Sequence, residues 1–242
     1  MELEEIRKDL EESKKLTKNG IRWTILLGLV GVLVSLLLGY LAGYFPVKQE
    51  LEELNQDYLD LQKEMEILDK ANLLREGGDY QGALELADQV LDKDPRNNIA
   101  WNARGNALFL MKDYEKALLS YEKAIEFSEG WNKGVAWHHK GLCLFYLGEY
   151  NLSVTAYDES LKINPSFENS WLNKGGALKR LELYEEALEA YDRVLQLNPN
   201  YAMAWYHRGI TLTNLGDSAK AKDSLCQACR LDSNYCGTTF CN

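Results

Sequence analysis

Four cysteines crowd the C-terminal end of the chain as Cys226, Cys229, Cys236 and Cys241, in the spacing C-x2-C-x6-C-x4-C. Four thiolates suit a tetrahedral zinc ion, two pairs suit disulfides in an oxidising compartment, and the loose spacing beyond C-x-x-C leaves both open beside unpaired thiols. The side chains whose ordinary pKa lies nearest neutrality are the three histidines, His138, His139 and His207. No glycine-rich phosphate loop, G-x-S-x-G or H-E-x-x-H occurs in the sequence. A net charge of −10 argues against a nucleic-acid partner, because phosphate binding needs clustered Lys and Arg.

The elements that must position these groups show themselves by periodicity. Trp101-x-x-x-Gly105, Trp137-x-x-x-Gly141, Trp171-x-x-x-Gly175 and Trp205-x-x-x-Gly209 recur at intervals of 36, 34 and 34 residues. Each frame continues with further shared positions, seen for example in Tyr114, Tyr150 and Tyr184, then Ala117, Ser153 and Ala187, then Tyr121, Tyr157 and Tyr191. Pro95, Pro165 and Pro199 close three of the frames. A period of 34 with W-x-x-x-G and this continuation resembles the tetratricopeptide-repeat (TPR) family.

That resemblance implies an all-α, right-handed solenoid of five helix-turn-helix repeats over residues 67–233, with a Cys-containing tail at 234–242. The glycines are expected to let the two helices of a repeat, A and B, cross closely, and the prolines to stop helix B. The repeat tryptophans are expected in the core, as is Cys143, which stands where a small buried residue is usual. His138 and His139 lie two repeats from His207, roughly 20 Å at about 10 Å per neighbouring helix, so no dyad or metal joins them. The expectation is a binding module with no catalytic residue and no cofactor.

In such a stack helix A lines the concave wall, so ligand contacts are expected at Asn72, Asn102, Asn106, His138, His139, Asn173, Lys179, Tyr206, His207 and Asn214. This amide-rich, neutral to mildly basic lining can hydrogen-bond the backbone of an extended peptide or protein ligand. It is similar to the asparagine ladder of peptide-holding TPR proteins, although Ala103 and two histidines interrupt the column containing Asn173. Leu68, Val135, His139, Met203 and His207 stand where a carboxylate clamp needs Lys, Arg and Asn, so chaperone tails are not the expected ligand.

Repeat two has two extra residues and no terminal proline, which leaves Trp131 outside the pattern. Trp131 is either a loop aromatic folded onto the solenoid edge or an anchor for a partner. Contacts through Trp131 and the C-terminal end define the rival expectation, a structural subunit or self-assembling spacer. Asn151-Leu152-Ser153 is a glycosylation sequon at a predicted surface turn.

Ahead of the repeats, residues 1–20 form a charged tail and residues 21–45 a run with one charge, Arg22. A helix of that length reaches roughly 37 Å, enough to cross a hydrocarbon core of about 30 Å, so one transmembrane helix is expected. Basic residues are denser before the run, Arg7 to Arg22, than after it, which places the N-terminus in the cytoplasm and the repeats outside. Gly31, Ser35, Gly39 and Gly43 recur every fourth residue, and such a face allows a second copy to approach and form a homodimer. Between the run and the repeats, 46–66 reads as a separate heptad helix starting after Pro46, with Leu51, Leu54, Tyr58, Leu61, Met65 and Leu68 on its seam. That seam suits a short coiled coil or a helix capping the first repeat.

Overall fold

The computed structural model of the protein describes residues 28, 30–38 and 45–236. Every element among them is helical. Residues 30–38 are helical, followed by α1 (Phe45–Glu76), α2 (Tyr80–Lys93), α3 (Asn98–Leu110), α4 (Tyr114–Phe127) and α5 (Gly130–Tyr146). Then come α6 (Tyr150–Ile163), α7 (Glu168–Arg180), α8 (Tyr184–Leu197), α9 (Ala202–Asn214), α10 (Ser218–Leu231) and a 3-10 turn, Ser233–Tyr235. The chain divides into two compact units, 1–103 and 104–242, the division falling within α3.

In the first unit, the expected heptad linker and helix A of repeat one are a single 32-residue helix, α1. No Pro or Gly interrupts the sequence between Pro46 and Glu76, and the apolar seam runs straight on into the repeat. On that seam Leu51, Leu54 and Leu68 are buried and Tyr58, Leu61 and Met65 half-buried. Leu68 forms a cluster with Val90 and Leu91 of α2 and Ala100 of α3.

Most of the apolar run 21–45 lies outside the described residues, as do the tail 1–20, Gly39 and Gly43. Among the described residues no helix is long and apolar enough to cross a membrane. Within the described part, Leu33, Val34, Leu36, Leu37 and Leu38 are exposed, whereas Ser35 is buried and Gly31 half-buried.

In the second unit successive helices pack in order, and helices A also touch one another, α5 with α7 and α7 with α9. This contact builds one wall out of helices A. Helix B begins at Asp113 and Asp217, whose carboxylates accept hydrogen bonds from Lys116 N and Lys220 N. It ends at an Asx turn: Asn164 Oδ1 accepts from Ser166 N and Asn198 Oδ1 from Asn200 N, both at 3.1 Å. The following proline carbonyl is then tied to the next helix A, as Trp171 Nε1–H donates to Pro165 O and Trp205 Nε1–H to Pro199 O, each at 2.8 Å.

These bonds correct the placement of the repeat tryptophans. Trp137, Trp171 and Trp205 are half-buried, each with a cation over its ring: Lys140 at 5.1 Å, Lys174 at 5.3 Å and Arg208 at 5.7 Å. The same cations pair with an acid on the preceding helix B, Glu122, Asp158 and Asp192, at 2.8, 2.6 and 2.7 Å. The repeat glycines admit helix B closely, as expected, and what fills the space is a side chain. A Cβ on Gly105, Gly141 or Gly175 would lie 2.6 Å from the ring of Tyr121, Tyr157 or Tyr191, so the space belongs to a buried tyrosine of helix B. At Gly209 the occupant is Leu225.

The irregular repeat is resolved by a longer helix. Trp131 stands six residues before Trp137, the place that Pro165 and Pro199 hold before Trp171 and Trp205. Without a proline the backbone stays helical, and α5 has 17 residues where α7 and α9 have 13. Trp131 is thus on the first turn of a helix, not in a loop. Asn151 is likewise in the first turn of α6 and exposed, not at a turn between helices.

Candidate functional site

Consecutive residues on a helix are about 100° apart, and this angle sorts the expected lining into two columns. The residue after each repeat tryptophan faces the seam between repeats. The next one faces the wall and packs on a tyrosine ring of the preceding helix B. His139 lies 5.1 Å from Tyr121 and His207 lies 5.9 Å from Tyr191, ring centroid to centroid, two repeats apart. Asn173 holds the same place in α7 and is half-buried.

Asn106 joins this wall through its Oδ1, which accepts from Tyr121 Oη–H at 2.8 Å. Lys179, near the end of α7, is half-buried; its pKa is lowered by burial and then by Arg180. Burial, with the Lys179 charge second, holds His207 down to about 4. His207 is therefore neutral at pH 7, and the lining is more nearly neutral than its composition suggests. Asn214 is exposed at the end of α9.

Three expected lining residues, Asn102, Tyr206 and His138, are turned away. Asn102, in the first unit, donates Nδ2–H to the carbonyl of Asn98 in its own helix at 3.1 Å, and Asn72, also in that unit, is half-buried. Tyr206 packs on Tyr235 at 5.0 Å. His138 is 5% exposed, sealed into the seam between repeats three and four. Its Nδ1 lies 2.9 Å from Ser170 Oγ, which lies 2.9 Å from Ser160 Oγ. Burial first, and His139 second, push its pKa down to about 3, so it is a neutral hydrogen-bonding member of the interior.

Trp131 is 50% exposed, with its ring 5.4 Å from Phe167. Cys143 is buried as expected, and burial pushes its thiol up to about 12. Cys229 and Cys236 form a disulfide and Cys226 is also disulfide-bonded, while Cys241 lies outside the described residues. Among the described residues no group of three His, Cys, Asp or Glu is placed to hold a metal ion. On the helix-B side, Val154, Trp171, Arg193 and Gln196 border an open cleft of about 650 Å³.

Tetratricopeptide-repeat family models match residues 68–130, 134–167, 169–201 and 190–223. The chain belongs to the tetratricopeptide-repeat family. One relative of this TPR protein is Protein STIP1 homolog of Dictyostelium discoideum, 34% identical over 73 residues. That stretch is 30% of this chain and spans only 13% of the relative's length. MamA from Desulfovibrio magneticus RS-1 is 19% identical with a TM-score of 0.63, over 71% of this chain and 96% of that one. YrrB, described as a TPR protein with an unusual peptide-binding site, is 23% identical with a TM-score of 0.59, over 74% of this chain and 92% of that one. At these identities the likeness is one of fold.

The polar seam escaped sequence reasoning, although a signal for it existed. Aligned repeats put Ser170 where Ala136 and Ala204 stand, and Ser160 where Ala124 and Val194 stand. Two polar residues at packing positions of adjoining helices predict a shared hydrogen-bond partner.

Proposed function

We propose that this TPR protein is a membrane-anchored scaffold that binds a peptide or protein on its wall of helices A, with no catalytic residue and no cofactor. The observation that carries the binding reading is the repeated placement of His139 on Tyr121 and His207 on Tyr191, with Asn173 in the same column. Polar edges held on flat rings offer a peptide backbone hydrogen bonds. YrrB's described peptide-binding site, on a similar fold, supports the same reading.

Capture from a membrane extract with the full chain tests it. Asn106→Ala, Asn173→Ala and His207→Ala together should abolish recovery of the principal partner, assayed well below the variant's own melting temperature because Tyr121 loses its hydrogen-bond partner. Unchanged recovery would overturn the reading.

The anchor is residues 21–45, with the N-terminus in the cytoplasm and the repeats outside. The apolar length and the basic flank support it, and the Cys229–Cys236 bond suits an oxidising compartment. Alkaline carbonate should leave the chain in the membrane pellet, and protease added to intact cells should cleave the repeats; release by carbonate refutes the anchor, and protection refutes the orientation. A homodimer through Gly31, Ser35, Gly39 and Gly43 belongs to the same reading, supported by their recurrence at every fourth residue.

The exposure of Trp131 on the first turn of α5 favours a second reading, assembly with another subunit through that edge. Trp131→Ala should then remove a partner that the wall substitutions leave bound.

A further inference from the structure

The chain beyond α10 reproduces, in register, the junctions that leave helix B in the regular repeats. Asn164 and Asn198 accept from the amide two residues on, and Asp232 does the same, accepting from Asn234 N at 2.9 Å. Phe167 and Tyr201 come three residues after those asparagines and directly precede α7 and α9; Tyr235 comes three after Asp232. The packing recurs as well. Phe167 lies 4.8 Å from His138, and Tyr235 lies 5.0 Å from Tyr206, which holds His138's place in its own helix. Asp232 to Tyr235 is therefore built as the junction that would lead into helix A of a sixth repeat.

Its closing contact is different. Leu161 and Leu195 are buried at the end of α6 and α8, and the residues after their junctions, Glu168 and Ala202, begin the next helix A. The matching positions in the last repeat are Cys229 and Cys236, joined covalently. Asp158 and Asp192, which pair with the cation of the incoming helix, are matched by Cys226, itself disulfide-bonded. Where earlier repeats use apolar packing and an ion pair, the last uses sulfur chemistry.

We propose that the Cys229–Cys236 bond is a redox-sensitive clasp, holding the start of a sixth-repeat junction against repeat five and so closing the end face of α9 and α10. A dithiol opens it in two exchanges. One thiolate attacks a clasp sulfur to give a mixed disulfide, and the reductant's second thiol displaces the protein sulfur. The reductant leaves as a cyclic disulfide, and two electrons and two protons pass to the two cysteines. Once opened, the junction between Asp232 and Tyr235 rests on non-covalent contacts, among them the Asp232 turn and the Tyr206–Tyr235 packing, and the end face opens to water.

The test uses the full chain purified without reductant. Peptide mapping should recover Cys229 linked to Cys236. Excess dithiothreitol should speed amide exchange in residues 218–236 by about tenfold or more, with α5 to α8 unchanged. Cys236→Ser should reproduce this without reductant, and Cys226→Ser, which leaves the clasp intact, should not. Free thiols at Cys229 and Cys236, exchange indifferent to dithiothreitol, acceleration spread through all repeats, or equal effects of the two variants would each overturn the proposal.

Discussion

The junction between repeats three and four and the junction between repeats four and five bring the same three positions together. The first fills them with His138, Ser160 and Ser170, the second with Leu172, Val194 and Ala204, each residue 34 beyond its counterpart. In the first unit, Leu68, Val90 and Ala100 occupy the same positions again. The apolar sets gain from removing carbon surface from water, so each member contributes on its own. The polar set is stable only as a set, because a buried donor or acceptor that loses its partner carries its full desolvation cost. One frame therefore accepts two chemistries, with different tolerance to single changes.

The largest effect should come from mixing the two. Leu172→His, with Val194 and Ala204 left in place, puts an imidazole among apolar groups that cannot pair with it. Calorimetry should show a loss of about 3 kcal/mol or more, from the buried unsatisfied ring and the lost packing. A loss below about 1 kcal/mol would mean that this junction is less closed than its counterpart.

Next is Ser170→Ala, which removes the middle of the His138–Ser170–Ser160 chain and should cost about 2 kcal/mol in denaturant unfolding. The full exchange His138→Leu with Ser160→Val and Ser170→Ala should come within about 1 kcal/mol of the natural chain, since all the partners leave together. If the triple variant is as unstable as the single one, the two junctions are not interchangeable.

The contrast should also depend on pH. His138 is pushed down to about 3 in the folded chain, against an ordinary value of 6.5. The unfolded chain therefore binds the proton first. The stability from a neutral His138 is fully present above about pH 6.5 and is lost as pH falls towards 3, by up to about 1.4 kcal/mol per pH unit. His207, held at about 4, acts in the same direction. Between pH 7 and 5 the triple variant should lose less stability than the natural chain, by roughly 1–2 kcal/mol; equal slopes would show that His138 is accessible to protons.

The smallest effect concerns how each repeat is tied to the one before. Trp171→Phe loses the bond to Pro165 O and should cost about 1 kcal/mol beyond what Trp137→Phe costs, because Trp131 replaces the proline there. Paired melting curves decide it, and equal shifts would mean that the indole bond adds nothing.

The helical repeats were legible because their signals are local and recur. Trp101, Gly105, Tyr121 and their counterparts mark one unit several times over, and Pro95, Pro165 and Pro199 end helix B by backbone chemistry alone. The wall of helices A was legible by column, through His139, Asn173 and His207. It failed one residue earlier in the helix, at Asn102, His138 and Tyr206, where a 100° turn moves a side chain from the wall to the seam. Trp131 was misplaced into a loop because the two extra residues looked like an insertion, while the missing proline had removed the reason for the helix to start late.

By itself the sequence determined the all-α class, the repeat frame and the proline stops of helix B. Local rules govern each of these: helix period, capping, and the fixed φ of proline. The tertiary structure decided that His138 is an interior group joined to Ser170, 32 residues away, that Tyr121 and Tyr191 carry the wall's histidines, and that Cys229 pairs with Cys236. These outcomes depend on which faces meet when one repeat stacks on the next. A half-turn of helix decides between water and interior, and only the neighbouring repeat supplies the partner.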